Sequence, residues 1–146
     1  MLYLHTRTPP IAHRDLKSAN LLVDSQWHVK VADFNLSRAL ESNLSASTLF
    51  ITNPRWLSPE VLSGHPGQLA ADVWAFGTVL WELATWRLPF EHMNPFQGSG
   101  LVVPAPGELP SGPCSVYREY VGLMRDCWHR IPAKRPHFDQ IVKRLR

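Results

Sequence analysis

His13-Arg14-Asp15-Leu16-Lys17-Ser18-Ala19-Asn20, with Ala32-Asp33-Phe34-Asn35 shortly after it, is the stretch whose reading decides the fold. It gathers two carboxylates, a lysine, an arginine and two amides on either side of a short apolar segment. That segment, Leu21-Leu22-Val23, then a turn at Asp24-Ser25, then His28-Val29-Lys30-Val31, predicts two strands of a β-hairpin, because short β-rich runs are split there by turn residues. Such a hairpin holds Asn20 and Asp33 near each other.

Further out, the chain alternates between loop and helix signals. Residues 35 to 58 are rich in Ser, Thr, Asn and Leu without sustained periodicity, which predicts a long loop of the kind that carries function. The run from Ala70 to Thr85 is apolar almost all round, the pattern of a helix buried on every face, and is expected to be the central pillar. Gly and Pro dominate from Asn94 to Pro113, which argues against a long helix there. Two amphipathic helices are predicted after it. Residues 115 to 129 carry Tyr117, Tyr120, Val121, Met124 and Trp128, and residues 137 to 145 carry Phe138, Ile141, Val142 and Leu145. At the other end, residues 1 to 5 read as the tail of a helix cut off upstream and stopped by Pro9-Pro10, with Leu2 and Leu4, like Leu22, exposed to water.

Composition narrows the function classes. A chain of 146 residues with 45% hydrophobic and 18% charged residues is expected to form one globular core. Lys and Arg number 15 against 12 Asp and Glu, a net charge of +3 without a long basic run, so no nucleic-acid footprint is expected. No apolar stretch approaches the ~18 residues of a membrane span, and Met1-Leu2-Tyr3-Leu4 is too short for a secretory signal. Cys114 and Cys127 lack CxxC spacing and fit a reducing compartment, with a cytoplasmic location by default.

The HRDLKSANLLVD segment together with ADFN resembles the catalytic loop and metal-binding turn of eukaryotic protein kinases. The resemblance implies a mainly α protein with a short β-hairpin: the C-terminal lobe of the kinase fold over residues 1–146, with an activation segment at 33–60. It implies ATP and Mg²⁺ as cofactors and a protein substrate. Asp15 is then the catalytic base and Lys17 the cation that reaches the γ-phosphate. Asn20 and Asp33 are the Mg²⁺ ligands, and Leu22 is the floor under the adenine. Arg14 resembles the arginine that pairs with a phosphorylated activation segment, where Ser45, Ser47 and Thr48 are candidate acceptors. His13 and Phe34 resemble packing residues of the internal spine, Glu60 and Arg135 the ion pair that fastens the end of the activation segment, and Asp72 the helix acid that binds the catalytic-loop backbone.

Lys17 favours serine/threonine over tyrosine specificity, since tyrosine kinases usually show Ala or Arg near this position. Trp56 before Ser58-Pro59-Glu60, and Cys127-Trp128 before Arg135-Pro136, resemble the tyrosine-kinase-like branch of the serine/threonine kinases. The chain also departs from the pattern. Asn35 replaces the usual Gly after Asp33-Phe34, in a turn where Gly gives access to positive φ and Asn is among the few other residues that reach it. Asn53 stands where a Thr is usual, and residues 95 to 112 are short for the substrate-docking helix. The glycine-rich loop, the strand lysine with its partner glutamate, and the hinge would all lie upstream of Met1. The expectation is therefore a kinase lobe inactive by itself, its open face covered by the other lobe or a partner. The alternative is a non-catalytic, pseudokinase-like binding module, or one part of a longer kinase gene.

Overall fold

A computed structural model describes residues 1–39, 54–66, 68–91 and 115–146. In chain order the elements are helix α1 (Leu2–His5), strand β1 (Ile11–Ala12), a 3-10 turn (Ser18–Asn20), β2 (Leu21–Val23), β3 (Val29–Val31) and β4 (Arg38–Ala39). A second 3-10 turn (Pro54–Trp56), α2 (Pro59–Leu62), α3 (Leu69–Thr85), α4 (Ser115–Cys127), a third 3-10 turn (Pro132–Lys134) and α5 (Phe138–Arg144) follow.

The core forms where α3 meets the two amphipathic helices after it. Val73, Trp74, Leu80 and Trp81 of α3 pack with Leu123, Met124, Cys127 and Trp128, and with Phe138 and Ile141 of α5. α3 is not buried along its whole length. Its last turn leaves the core, so Leu83 and the following Trp86 lie in water. α4 approaches so closely that a Cβ on Gly77 would sit 2.8 Å from the Cys127 Cβ and 3.0 Å from the Trp128 Nε1. Only glycine fits at that contact. The aromatic tips of the partner helix are also satisfied there: Trp128 Nε1 donates to Thr78 Oγ1 at 3.2 Å and the Tyr120 hydroxyl to the Leu80 carbonyl at 2.6 Å. Burial pushes both the Tyr120 hydroxyl and the Cys127 thiol up to about 12, so Cys127 is an inert core thiol.

The sheets are small. β2 and β3 form the antiparallel hairpin, with Leu21 opposite Val31, Leu22 opposite Lys30 and Val23 opposite Val29. Its turn is longer than Asp24-Ser25: the Asp24 carboxylate accepts the backbone N–H of Gln26 at 2.9 Å and of His28 at 3.0 Å, and Trp27 takes φ 63°. β1 pairs antiparallel with β4, Ile11 opposite Ala39 and Ala12 opposite Arg38, a second two-stranded sheet beyond the single hairpin the sequence suggests. Two-residue strands carry no alternation to read.

The short N-terminal helix also differs from its sequence reading. Met1 and Leu2 pack on the core, Leu4 is half-buried, and the His5 ring meets Phe138 edge-on at a centroid distance of 4.9 Å. In α1 Tyr3 stays in water, and on the hairpin Leu22 is exposed as expected, together with Val23, Trp27 and Val29. No described helix is long and apolar enough to cross a membrane.

Candidate active site

The loop from His13 to Asn20 hangs from one buried carboxylate. Asp72, in the first turn of α3, is 1% exposed; its Oδ2 accepts the His13 backbone N–H and its Oδ1 that of Arg14, both at 2.8 Å. Two successive N–H groups reach the same carboxylate with Arg14 in the left-handed region at φ 70°. A non-glycine residue held there stores strain that the Asp72 bonds offset. His5 Nε2 donates to the same Oδ2 at 2.9 Å and ties α1 to the assembly.

His13 carries the connection onward. Its Nδ1 accepts the Asp15 backbone N–H at 3.3 Å, so the proton sits on Nε2, which donates to the Ala32 carbonyl at 3.1 Å. Its ring meets Phe34 at a centroid distance of 5.0 Å. The fully buried imidazole thus links the loop to the turn that bears Asp33.

Asp15, Lys17 and Asn20 form the centre. Lys17 Nζ lies 2.8 Å from Asp15 Oδ2. The Asn20 amide nitrogen donates to the Asp15 backbone carbonyl at 2.8 Å and to Asp15 Oδ2 at 3.2 Å. Both amide hydrogens are committed toward Asp15, which turns the Asn20 carbonyl oxygen away from it. The hairpin then brings the second acid in: the Ala32 N–H donates to the Asn20 main-chain carbonyl at 2.9 Å, placing Asp33 one residue beyond. Asp33 is exposed, with φ 63°. The left-handed residue of this turn is therefore Asp33 and not Asn35, whose amide instead donates to Asp33 Oδ1 at 2.7 Å. Asp shares with Asn a short polar side chain that tolerates this region.

Other sequence candidates fall around this centre. Leu22 lies on the open hairpin surface. Arg135, its side chain fully buried, meets Glu60 through two bonds of 2.6 and 2.8 Å. Burial works to raise the Glu60 carboxyl, but the two bonds from the Arg135 guanidinium oppose it, and Glu60 is held below its ordinary value. Ser45, Ser47, Thr48 and Asn53, residues 95 to 112 and much of the segment 33–60 lie outside the described residues.

Sequence reasoning missed Glu82. It sits inside the apolar run of α3 and joins three elements. One carboxylate oxygen accepts Ser18 Oγ at 2.7 Å and the other accepts Trp56 Nε1 at 2.9 Å. Burial raises its pKa above the ordinary 4.5, the two hydrogen bonds opposing this only in part. A carboxyl whose pKa is raised by folding favours the native state most at low pH, and that contribution is lost as pH rises through the folded value. Glu82→Gln, which retains an acceptor for Trp56, is expected to flatten the stability difference between pH 5 and pH 7. Urea unfolding midpoints of both proteins at the two pH values test this, and an unchanged difference contradicts it.

Comparison with known proteins places the chain in a family. A family model described as protein tyrosine and serine/threonine kinase matches residues 1–145. The serine/threonine-protein kinase CTR1 of Arabidopsis thaliana is 43% identical over the whole of this chain, which covers 18% of that protein. The probable serine/threonine-protein kinase drkA of Dictyostelium discoideum is 44% identical over 99% of this chain and 22% of its own length, and drkC of the same organism is 41% identical over 99% and 20%. The chain therefore spans about a fifth of the length of these relatives. On the family match and these identities, the chain belongs to the protein tyrosine and serine/threonine kinase family.

Proposed function

We propose that this chain is the C-terminal, catalytic-loop lobe of a serine/threonine protein kinase that moves the γ-phosphoryl group of ATP to a protein hydroxyl. The observation that carries the reading is the Asp15–Lys17–Asn20 cluster, tied by the Asn20–Ala32 backbone bond to the turn of Asp33. Asp15 accepts the proton of the attacking hydroxyl and orients it. Lys17, already beside Asp15, meets the charge on the transferred phosphoryl group. The serine/threonine assignment draws on Lys17 and on the names of the relatives, and the Trp56 and Cys127-Trp128 pattern supports the tyrosine-kinase-like branch.

The donor set fits a hard divalent cation carried on a nucleotide. Asn20 Oδ1, turned away from Asp15, and the Asp33 carboxylate are hard oxygens, and the described residues hold no group of three His, Cys, Asp or Glu that would form a protein-only cage. Mg²⁺ suits so few protein ligands because it keeps waters and binds mainly through phosphates. When bound, it supplies charge compensation on the β- and γ-phosphates. Asn20 and Asp33 would hold it.

Residues 33–60 are proposed as the activation segment, with Arg14 reading a phosphate on Ser45, Ser47 or Thr48, and with Glu60–Arg135 as the anchor of its end. Leu22, apolar and open to water, is proposed to be covered by a nucleotide-gripping lobe and to lie beneath the adenine. Loss of one well-placed electrostatic group typically costs ~10²- to 10³-fold in rate, so a lobe without the opposite wall is expected to transfer phosphate negligibly. The test compares the 146-residue chain with a complete kinase in which a glycine-rich lobe precedes it, using radiolabelled ATP and a generic Ser/Thr substrate. Robust transfer by the short chain overturns the requirement for a second lobe. No transfer by the complete protein overturns the kinase reading in favour of a binding module.

A further inference from the structure

The bond between Asn35 and Asp33 has no use in the mechanism above. Asp33 is exposed and has two carboxylate oxygens; one of them, Oδ1, accepts the Asn35 amide nitrogen at 2.7 Å. The donor comes from two residues further along the same turn, which is closed by a hydrogen bond from the Ser37 N–H to the Phe34 carbonyl at 3.0 Å. The backbone of Asp33 is set in the left-handed region and Phe34 is held against His13. The carboxylate therefore meets the amide in a turn fixed on both sides.

We infer that Asn35 is a positioning residue that occupies one oxygen of Asp33 and so weakens the divalent-cation site, setting the cation concentration at which the site fills. This rests on the proposal that Asp33 is a cation ligand. The chemistry is a direct competition. An amide hydrogen donated to Oδ1 withdraws part of the negative charge that a cation would use, and a cation placed on that oxygen must displace the donor. Hydrogen bonds to charged groups are the stronger class, but this one is exposed and water replaces it at modest cost. The expected effect is accordingly modest, about fivefold in cation affinity. Glycine at this position would remove the donor, and so would leucine, which has the same branching as asparagine without its polar atoms. The pair separates the lost hydrogen bond from any gain in backbone freedom.

The experiment is a titration of the complete protein, loaded with a non-hydrolysable ATP analogue, with Mn²⁺, read as free Mn²⁺ by electron paramagnetic resonance. Wild type, Asn35→Gly, Asn35→Leu and Asp33→Asn are compared. The expected result is a dissociation constant about fivefold lower in both Asn35 variants, with Asp33→Asn losing the site. A second readout is the Asn35 side-chain amide resonance, which is expected to shift as Mg²⁺ displaces it from the carboxylate. If both Asn35 variants bind Mn²⁺ no more tightly than wild type while Asp33→Asn loses the site, the competition is overturned and Asp33 stands as a ligand. If Asn35→Gly alone gains affinity, backbone freedom is responsible and the inference is again overturned. If Asp33→Asn binds as wild type does, Asp33 is not a ligand, and the reading beneath the inference falls with it.

Discussion

Asp15→Asn is expected to lower the single-turnover rate of phosphoryl transfer in the complete protein by about 10²- to 10⁴-fold, the range for loss of a positioned general base. Substrate affinity should stay close to wild type, because the interaction removed is one made as the hydroxyl proton moves. The geometry makes the substitution more than the loss of a proton acceptor. Asp15 Oδ2 is approached by Lys17 Nζ and by the Asn20 amide, two donors on one carboxylate oxygen. An asparagine there either turns its own amide hydrogens toward those donors or keeps its single oxygen on them and presents N–H groups to the substrate. Neither orientation accepts a proton. The isosteric change leaves the Asn20 bond to the Asp15 main-chain carbonyl intact, so the folding midpoint should hold while the rate falls. Wild-type rates in Asp15→Asn would mean that this loop does not perform phosphoryl transfer.

Much of the frame was legible before any coordinates because its signals are local. The hairpin follows from two apolar runs around Asp24, and its register ties the Asn20 main chain to Ala32. The helices ending in Cys127 and Arg144 follow from apolar residues at helical spacing, with ends misjudged by one or two residues where the chain frays. The Asp15, Lys17 and Asn20 cluster lies within six consecutive positions, and the structure brings its side chains together.

What was not legible depends on partners far away in sequence. His5 and Asp72 are 67 positions apart, so nothing near His5 announces a buried carboxylate, and residues 1 to 5 read only as severed helix. Glu82 joins Ser18, 64 positions before it, to Trp56 on another element. The left-handed residues were misplaced for a different reason. Sequence reasoning looks for Gly or Asn where φ is positive, whereas Arg14 and Asp33 are held there by the surrounding bonds. Tertiary contacts override local preference at such positions, and here they flank the proposed chemistry.

Arg135→Leu is expected to destabilise the chain by about 3 to 5 kcal/mol, the cost of leaving one partner of a buried ion pair unmatched. Arg135 is bound on every side: two bonds reach the Glu60 carboxylate, Nη1 also donates to the Ala70 carbonyl at 2.8 Å, and Nε donates to the His129 carbonyl at 2.9 Å. Its guanidinium also lies over the Trp74 ring at 5.0 Å. Leucine satisfies none of those acceptors. Lysine keeps the charge but not the planar fork, so Arg135→Lys should fall between wild type and Arg135→Leu. The pH dependence identifies the cause. In wild type the Glu60 carboxyl is held below its ordinary value of 4.5, so its contribution is present above that value and is lost as pH falls through the lowered folded value. Without Arg135 the burial that works to raise Glu60 is unopposed by the cation, and the sign reverses: the variant should gain stability, relative to wild type, as pH falls below about 5. Glu60→Gln removes the titrating group and is expected to lose both trends. Urea unfolding of the four proteins between pH 4 and pH 7 decides it. An Arg135→Leu protein whose acid limb parallels that of wild type would show that the guanidinium is not what holds the Glu60 carboxylate.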